Sequence, residues 1–174
     1  MREKQISALE INRRIQELAN RIDKDYKDTK ESICMVGVLR GAFIFLADLS
    51  RLLNIPHTID FISIGSYDKD KTGIVRLLMD TRESVSGKHV IIVEDIIDSG
   101  KTINYLIKLF EGKNVKSIKT CTLLRKNGSR ENSNISYVGF DVSKEDWVVG
   151  YGMDYNNQYR TLADIWVLKN KRNK

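Results

Sequence analysis

Residues Val90-Ile91-Ile92-Val93 form an unbroken apolar, β-branched run in the middle of a 174-residue chain. Four such residues with no polar alternate must be covered on both faces, as in a central strand of a parallel sheet with helices above and below. Residues 33–39 have the same character and are closed by Arg40-Gly41. Residues 117–124 read as a third strand, and residues 58–64, which mix alternation with β-branching, as a fourth. Helical patterns lie between them. Ser7 with Glu10 makes a capping-box pattern, and Ile11, Ile15, Leu18 and Ile22 follow at helical spacing. Residues 42–53 read as a helix stopped by Asn54 and Pro56, and residues 102–111 as one stopped by Gly112. Strand and helix alternate through the first two thirds of the chain. The expectation is an α/β fold with a mostly parallel twisted sheet flanked by helices. Shorter strand signals fall at 74–79, 137–140, 147–149 and 165–168, and residues 125–134 read as a polar loop. Residues 65–73 are polar and without periodicity, which suits a mobile flap. Neither a linker nor a repeat divides the chain, so one domain is expected over 1–174.

The informative stretch follows the central strand: Glu94-Asp95-Ile96-Ile97-Asp98-Ser99-Gly100-Lys101-Thr102. Two acids close the strand, a short loop follows, and a helix opens at Gly100. Ligands of open α/β sheets bind outside the carboxyl ends of the strands. Amides at a helix N-terminus suit a phosphate, Ser99 and Thr102 add hydroxyl donors, and Gly100 lets the backbone approach closely. Carboxylates repel a phosphate but accept from sugar hydroxyls. The segment therefore describes a ligand with a phosphate at one end and a diol at the other, a ribose 5-phosphate. Asp98 stands between the two halves, where a general base or acid is useful. Gly100-Lys101-Thr102 also resembles the end of a P-loop, but that motif needs a glycine where Asp95 stands. An acidic loop capping an ordinary helix explains Asp98 and Ser99 and leaves Glu94 and Asp95 without a role.

The formal net charge of +6 favours anionic partners without choosing among nucleic acid, membrane surface and phosphorylated small molecules. No clustered Lys/Arg stripe occurs apart from the short basic tail at 169–174, so nucleic acid is not the expected partner. Cys34 and Cys121 lie in apolar stretches without metal-ligand spacing, as buried free thiols do. His57 and His89 each precede a strand-like run and read as structural or surface residues. The charged N-terminus has no apolar segment behind it and no stretch reaches transmembrane length. The expectation is a cytoplasmic protein without membrane contact.

Val93-Glu94-Asp95-Ile96-Ile97-Asp98-Ser99-Gly100-Lys101-Thr102 resembles the signature with which type I phosphoribosyltransferases bind phosphoribosyl pyrophosphate (PRPP), and it is most similar to the hypoxanthine-guanine branch. The resemblance extends from about Ile33 to Leu168. It implies transfer of the phosphoribosyl group from PRPP to hypoxanthine or guanine, with magnesium, giving IMP or GMP and pyrophosphate. It assigns ribose-phosphate binding to Glu94, Asp95, Ile97, Asp98, Ser99, Gly100, Lys101 and Thr102, with Asp98 as the catalytic group at purine N7. Leu39-Arg40-Gly41 resembles the pyrophosphate loop, with a cis peptide between Leu39 and Arg40 and an arginine where lysine is frequent. Arg160 would also reach pyrophosphate. Ser66-Tyr67 is similar to the family's flexible loop, which closes to keep water from an oxocarbenium-like ribose. Lys126 would donate to purine O6, with Arg125 as the alternative if the register slips by one. Trp147 would stack on the base, and carbonyls near Val148 and Asp154 would accept from its polar edge. Magnesium would be held by Asp154, Glu94 and Asp95, usually through water at Asp154. The resemblance further implies a small hood lobe from about 1–25 and 140–174, and a homodimer or homotetramer. A xanthine-accepting enzyme, or an RNA-binding regulator of nucleotide genes on the same fold, are the alternatives.

Overall fold

The computed structural model describes residues 2–66, 75–127 and 135–168. Among them the chain runs β1 (Arg2–Ile6), α1 (Ala8–Tyr26), β2 (Ile33–Leu39), α2 (Phe43–Leu52), β3 (His57–Ser66), β4 (Val75–Met79), β5 (His89–Ile97), α3 (Lys101–Glu111), β6 (Ser117–Lys126), β7 (Tyr137–Val142), β8 (Val148–Val149) and β9 (Ile165–Leu168). Six strands form one sheet in the order β4-β3-β2-β5-β6-β7, parallel except for β4. The run at Val90–Val93 takes the centre, between β2 and β6.

Alternation along each central strand sorts its side chains to two cores. Ile33, Met35, Ile91 and Val93 join Ile11, Ile15, Leu18, Phe45 and Leu49 under α1 and α2. Cys34, Val36, Val90 and Ile92 join Ile103, Leu106 and Phe110 under α3. Both faces of the sheet are therefore dry, which is why these strands carry no polar alternate. Both cysteines are buried and free, and burial raises their thiol pKa values. The helix ends follow local chemistry. Ser7 caps α1 with the reciprocal Glu10 contact of a capping box. Beyond α2, Asp23 of α1 accepts from the amides of Asn54 and Ile55, fixing where the chain turns. At the free edge β7, Arg14 of α1 donates to the carbonyls of Gly139 and Val138, occupying an edge open to pairing with another chain.

A second sheet, β1-β9-β8, is antiparallel and joins the two ends of the chain. The sequence reading puts a hood lobe at 1–25 and 140–174. In the structure only β1 of the first range enters this small sheet. Helix α1 packs on α2 and β7 because its apolar stripe fills the main core. Likewise β7, to Val142, belongs to the main sheet. Strand β1 itself was not expected, since Arg2-Glu3-Lys4-Gln5 carries no apolar alternation. Its pairing comes from β9.

Other boundaries also move. β5 continues through Glu94 and Asp95 to Ile97, and β6 continues to Lys126, so residues read as loop are laddered to each other. Gly65 and Ser66 end β3, paired with Arg76 and Val75, rather than opening a flap. Tyr67 and the rest of the expected flap lie outside the described residues. Both histidines sit in structural contacts: His57 Nδ1 lies 2.9 Å from the Ile55 carbonyl, and His89 Nδ1 2.6 Å from Ser117 Oγ. No described helix is long and apolar enough to cross a membrane.

Candidate active site

Three clefts lie at the carboxyl ends of β2, β5 and β6, and they meet on the short segment from Glu94 to Asp98. The largest, about 570 Å³, is lined by Leu39, Arg40, Gly41, Glu94, Asp95, Thr102, Asp154 and Arg160, with Gly65 and Leu78 on its outer wall. The second, about 250 Å³, is lined by Asp98, Lys126, Asp146, Trp147, Val148 and Met153. The third, about 110 Å³, is lined by Ile97, Ser99, Gly100 and Thr102. Asp95 and Asp154 belong to the first and second, Glu94 and Thr102 to the first and third, and Ile96 and Asp98 to the second and third. A ligand with three arms on one small hub matches this plan.

The third cleft lies where α3 opens, at the segment whose sequence suggests a phosphate cradle. Gly100 sits at φ 78°, a left-handed conformation that glycine adopts without steric cost, and α3 starts after it with no side-chain cap. Amides in the first turn of a helix suit an anion. Lys101 is exposed and lines none of the three clefts.

The acid pair forms the floor. Glu94 Oε2 is shielded from water and has no hydrogen-bond partner among the described residues. A shielded carboxylate oxygen in that state needs a ligand hydroxyl or a cation to be satisfied. Burial, helped by the charge of Asp95, raises the Glu94 pKa well above the carboxylate range. Burial likewise pushes Asp95 up to about 6, against the pull of its backbone amides and Arg160. No group of three His, Cys, Asp or Glu among the described residues forms a cage for a metal. Magnesium does not need one, because it is commonly held by one or two carboxylates together with substrate phosphates. Glu94, Asp95 and Asp154 fit that mode.

The first cleft is built from two loops pressed together. The Leu39–Arg40 peptide is cis. Gly41 lies so close to Asp95 that a Cβ would fall 1.7 Å from its Oδ2, and Gly152 so close to Gly41 that a Cβ would fall 2.0 Å from its carbonyl oxygen. Arg160 pairs with Asp154 at 2.5 Å and donates to the Gly152 carbonyl at 2.7 Å. Asn157 joins the loops: its amide donates to Asp154 Oδ2, and its side-chain oxygen accepts from Arg40, both at 2.7 Å. Asn157 was not singled out from sequence. Its only signal is Asn156-Asn157, a pair that tolerates the positive φ both adopt.

In the second cleft Asp98 Oδ2 lies 3.4 Å from Lys126 Nζ. Asp98 is largely exposed and Lys126 nearly covered. The register question at β6 is resolved by Asp141, which binds Arg125 at 2.7 and 3.1 Å through two guanidinium nitrogens. Arg125 is thereby turned to β7, and Lys126 lines the cleft. Trp147 is 54% exposed and makes an edge-to-face contact with Tyr155 at 6.0 Å between ring centroids. Val148 is buried behind it. Asp146 and Tyr155 belong to the stretch whose sequence resembles the family's base-binding segment, though neither was singled out there.

The phosphoribosyl transferase domain model matches residues 4–156. The chain is 45% identical over 163 residues to the hypoxanthine phosphoribosyltransferase of Buchnera aphidicola, covering 92% of each. It is 40% identical to the hypoxanthine-guanine phosphoribosyltransferase of Dictyostelium discoideum, covering 92% of this chain and 91% of that one. Among solved structures, a hypoxanthine-guanine phosphoribosyltransferase from Bacillus anthracis superposes with TM-score 0.89 at 39% identity, covering 96% of this chain and 98% of that one. A Trypanosoma cruzi hypoxanthine phosphoribosyltransferase complexed with IMP gives 0.88 at 41%, covering 95% and 89%.

Proposed function

The chain belongs to the phosphoribosyl transferase domain family, and from that membership we propose that it joins hypoxanthine or guanine to the ribose of PRPP, releasing pyrophosphate. The reaction is purine salvage and its products are IMP and GMP. The observation that carries the reading is the meeting of three clefts on Glu94 to Asp98. PRPP and a base together have three arms on one ribose: pyrophosphate, base and 5′-phosphate.

Each arm has its residues. The 5′-phosphate lies on Ser99, Gly100, Thr102 and the amides that open α3. Glu94 and Asp95 accept from the ribose hydroxyls, and Arg40, Gly41 and Arg160 hold the pyrophosphate. Glu94, Asp95 and Asp154 would also hold Mg²⁺, which neutralises charge on the leaving pyrophosphate. The purine stacks on Trp147. Its N9 lone pair attacks ribose C1 with inversion, the C1–O bond to pyrophosphate breaks, and the N7 proton passes to Asp98. Lys126 donates to O6. The Asp98–Lys126 pair offers an acceptor beside a donor, and purine N7–H and O6 offer the complement. An ion pair with one exposed partner contributes no more than about 1 kcal/mol. Hydrogen bonds to charged groups contribute about 1.5–3 kcal/mol each, so the base displaces that contact.

A flap that closes on the site is still proposed, with Tyr67 within it and Ser66, the last residue of β3, leading into it. The protein is proposed to be cytoplasmic. A homodimer or homotetramer is proposed as its assembly, and exposed Ile59, Phe61, Leu78 and Met79 on β3 and β4 support it.

Adenine provides the test. Its 6-amino group is a donor and meets the Lys126 ammonium donor to donor. With PRPP, hypoxanthine and guanine are turned over and adenine and uracil are not. Adenine used at a rate comparable to hypoxanthine would remove Lys126 as the O6 donor.

A further inference from the structure

The charges of the base cleft do not cancel. Asp98 pairs with Lys126, and Asp154 with Arg160. Asp146 lines the same cleft, and its carboxylate has no hydrogen-bond or ion-pair partner among the described residues. Its backbone is fixed by the Asp146 amide, which donates to the Ser143 carbonyl at 3.2 Å and closes the turn before Trp147. The cleft has two walls. Ile96 and Lys126 come from the main sheet, with Asp98 just past the end of β5, while Asp146 and Trp147 lead into Val148 of the small one.

A purine that places O6 and N7 against Lys126 and Asp98 turns the opposite edge of its six-membered ring, with C2, toward the second wall. Building on the function proposed above, we infer that Asp146 is a specificity-determining residue that reads the substituent at C2 and favours guanine over xanthine. The guanine 2-amino group is a donor and matches the carboxylate. Xanthine has an oxo group there and ionises readily near neutrality, so it brings an acceptor and negative charge toward an uncompensated anion. Hypoxanthine has only C2–H and is indifferent. A charge-assisted hydrogen bond gained by one base and repulsion suffered by the other separate them on the order of ten- to a hundred-fold in kcat/KM.

The test compares guanine, xanthine and hypoxanthine as substrates of the unaltered protein, Asp146→Asn and Asp146→Lys. Each value is read as a ratio to hypoxanthine in the same preparation, so any general loss cancels. The unaltered protein is expected to prefer guanine to xanthine by at least ten-fold. Asp146→Lys is expected to lower the guanine ratio and raise the xanthine ratio, each by about ten-fold, with Asp146→Asn between them. Affinities for IMP, GMP and XMP should move in the same order, which gives a readout without turnover. Ratios and affinities unchanged within two-fold in both variants would overturn the role of Asp146 while leaving the reaction intact. No turnover of hypoxanthine by the unaltered protein would overturn the underlying function, and this inference with it.

Discussion

Replacing Asp98 by alanine lowers kcat for hypoxanthine by roughly 10²–10⁴-fold, the range of a positioned general base, while affinity for PRPP stays within a few-fold. Two features of the site produce this split. Asp98 is shared by the second and third clefts, proposed to hold the base and the 5′-phosphate, and its carboxylate is the acceptor beside Lys126. The anion-binding groups are elsewhere, in the Arg40 loop and at the start of α3. Asp98→Asn serves as the shape-preserving control. It keeps the side-chain volume next to Lys126 and cannot take the proton, so it should share the kcat defect. Steady-state kinetics with direct PRPP binding check this. A kcat within three-fold of the unaltered protein would remove Asp98 from the chemistry. Equal losses in PRPP affinity and rate would make it a binding group instead.

The second large effect is structural. Gly152→Ala should destabilise the protein by roughly 3 kcal/mol and weaken PRPP binding at the same time. The residue sits at φ 100°, and its Cβ would fall 2.0 Å from the backbone oxygen of Gly41. No side-chain rotation relieves a clash with backbone. The 150–162 loop must back away from the Arg40 loop, and the first cleft opens with it. For a chain of this size the stability loss corresponds to a fall in Tm of about 6–12 °C. Gly87→Ala is the comparison, because Gly87 also has positive φ (72°) but nothing lies within 4 Å of its Cβ. It should lose only about 1 kcal/mol and bind PRPP normally. Equal melting temperatures for the two variants would mean that the contact between the loops is not what the geometry implies.

The legible parts of the fold were those where one helix or strand declares itself. The doubly covered strands, the Ser7 capping box and the Gly100 helix start follow from local residue pattern. Strand β1 was not legible, because a charged segment becomes a strand only when β9 offers it a partner. The ends of β5 and β6 were misjudged for a related reason. Ile97 and Arg125 look like loop residues, yet they are laddered to each other beside the ligand clefts. For the proposed site, the acid pair and the helix opening that follows it lie in one contiguous segment and could be read together. The roles of Arg40, Lys126, Trp147 and Arg160 came only from resemblance, since isolated surface-type residues carry no local signal. Asn157, Asp146 and Tyr155 stand beside residues singled out from sequence but were given no role of their own. Each matters through a contact made across the fold, to Arg40, to the base cleft and to Trp147.

The most direct test of the central claim is to incubate the protein with PRPP, Mg²⁺ and hypoxanthine and measure nucleotide and pyrophosphate together. One ligand hub serving three arms predicts IMP and pyrophosphate in one-to-one ratio, with both lost on chelating the magnesium and restored on adding it back. Pyrophosphate released without nucleotide, or no product of either kind, would contradict it.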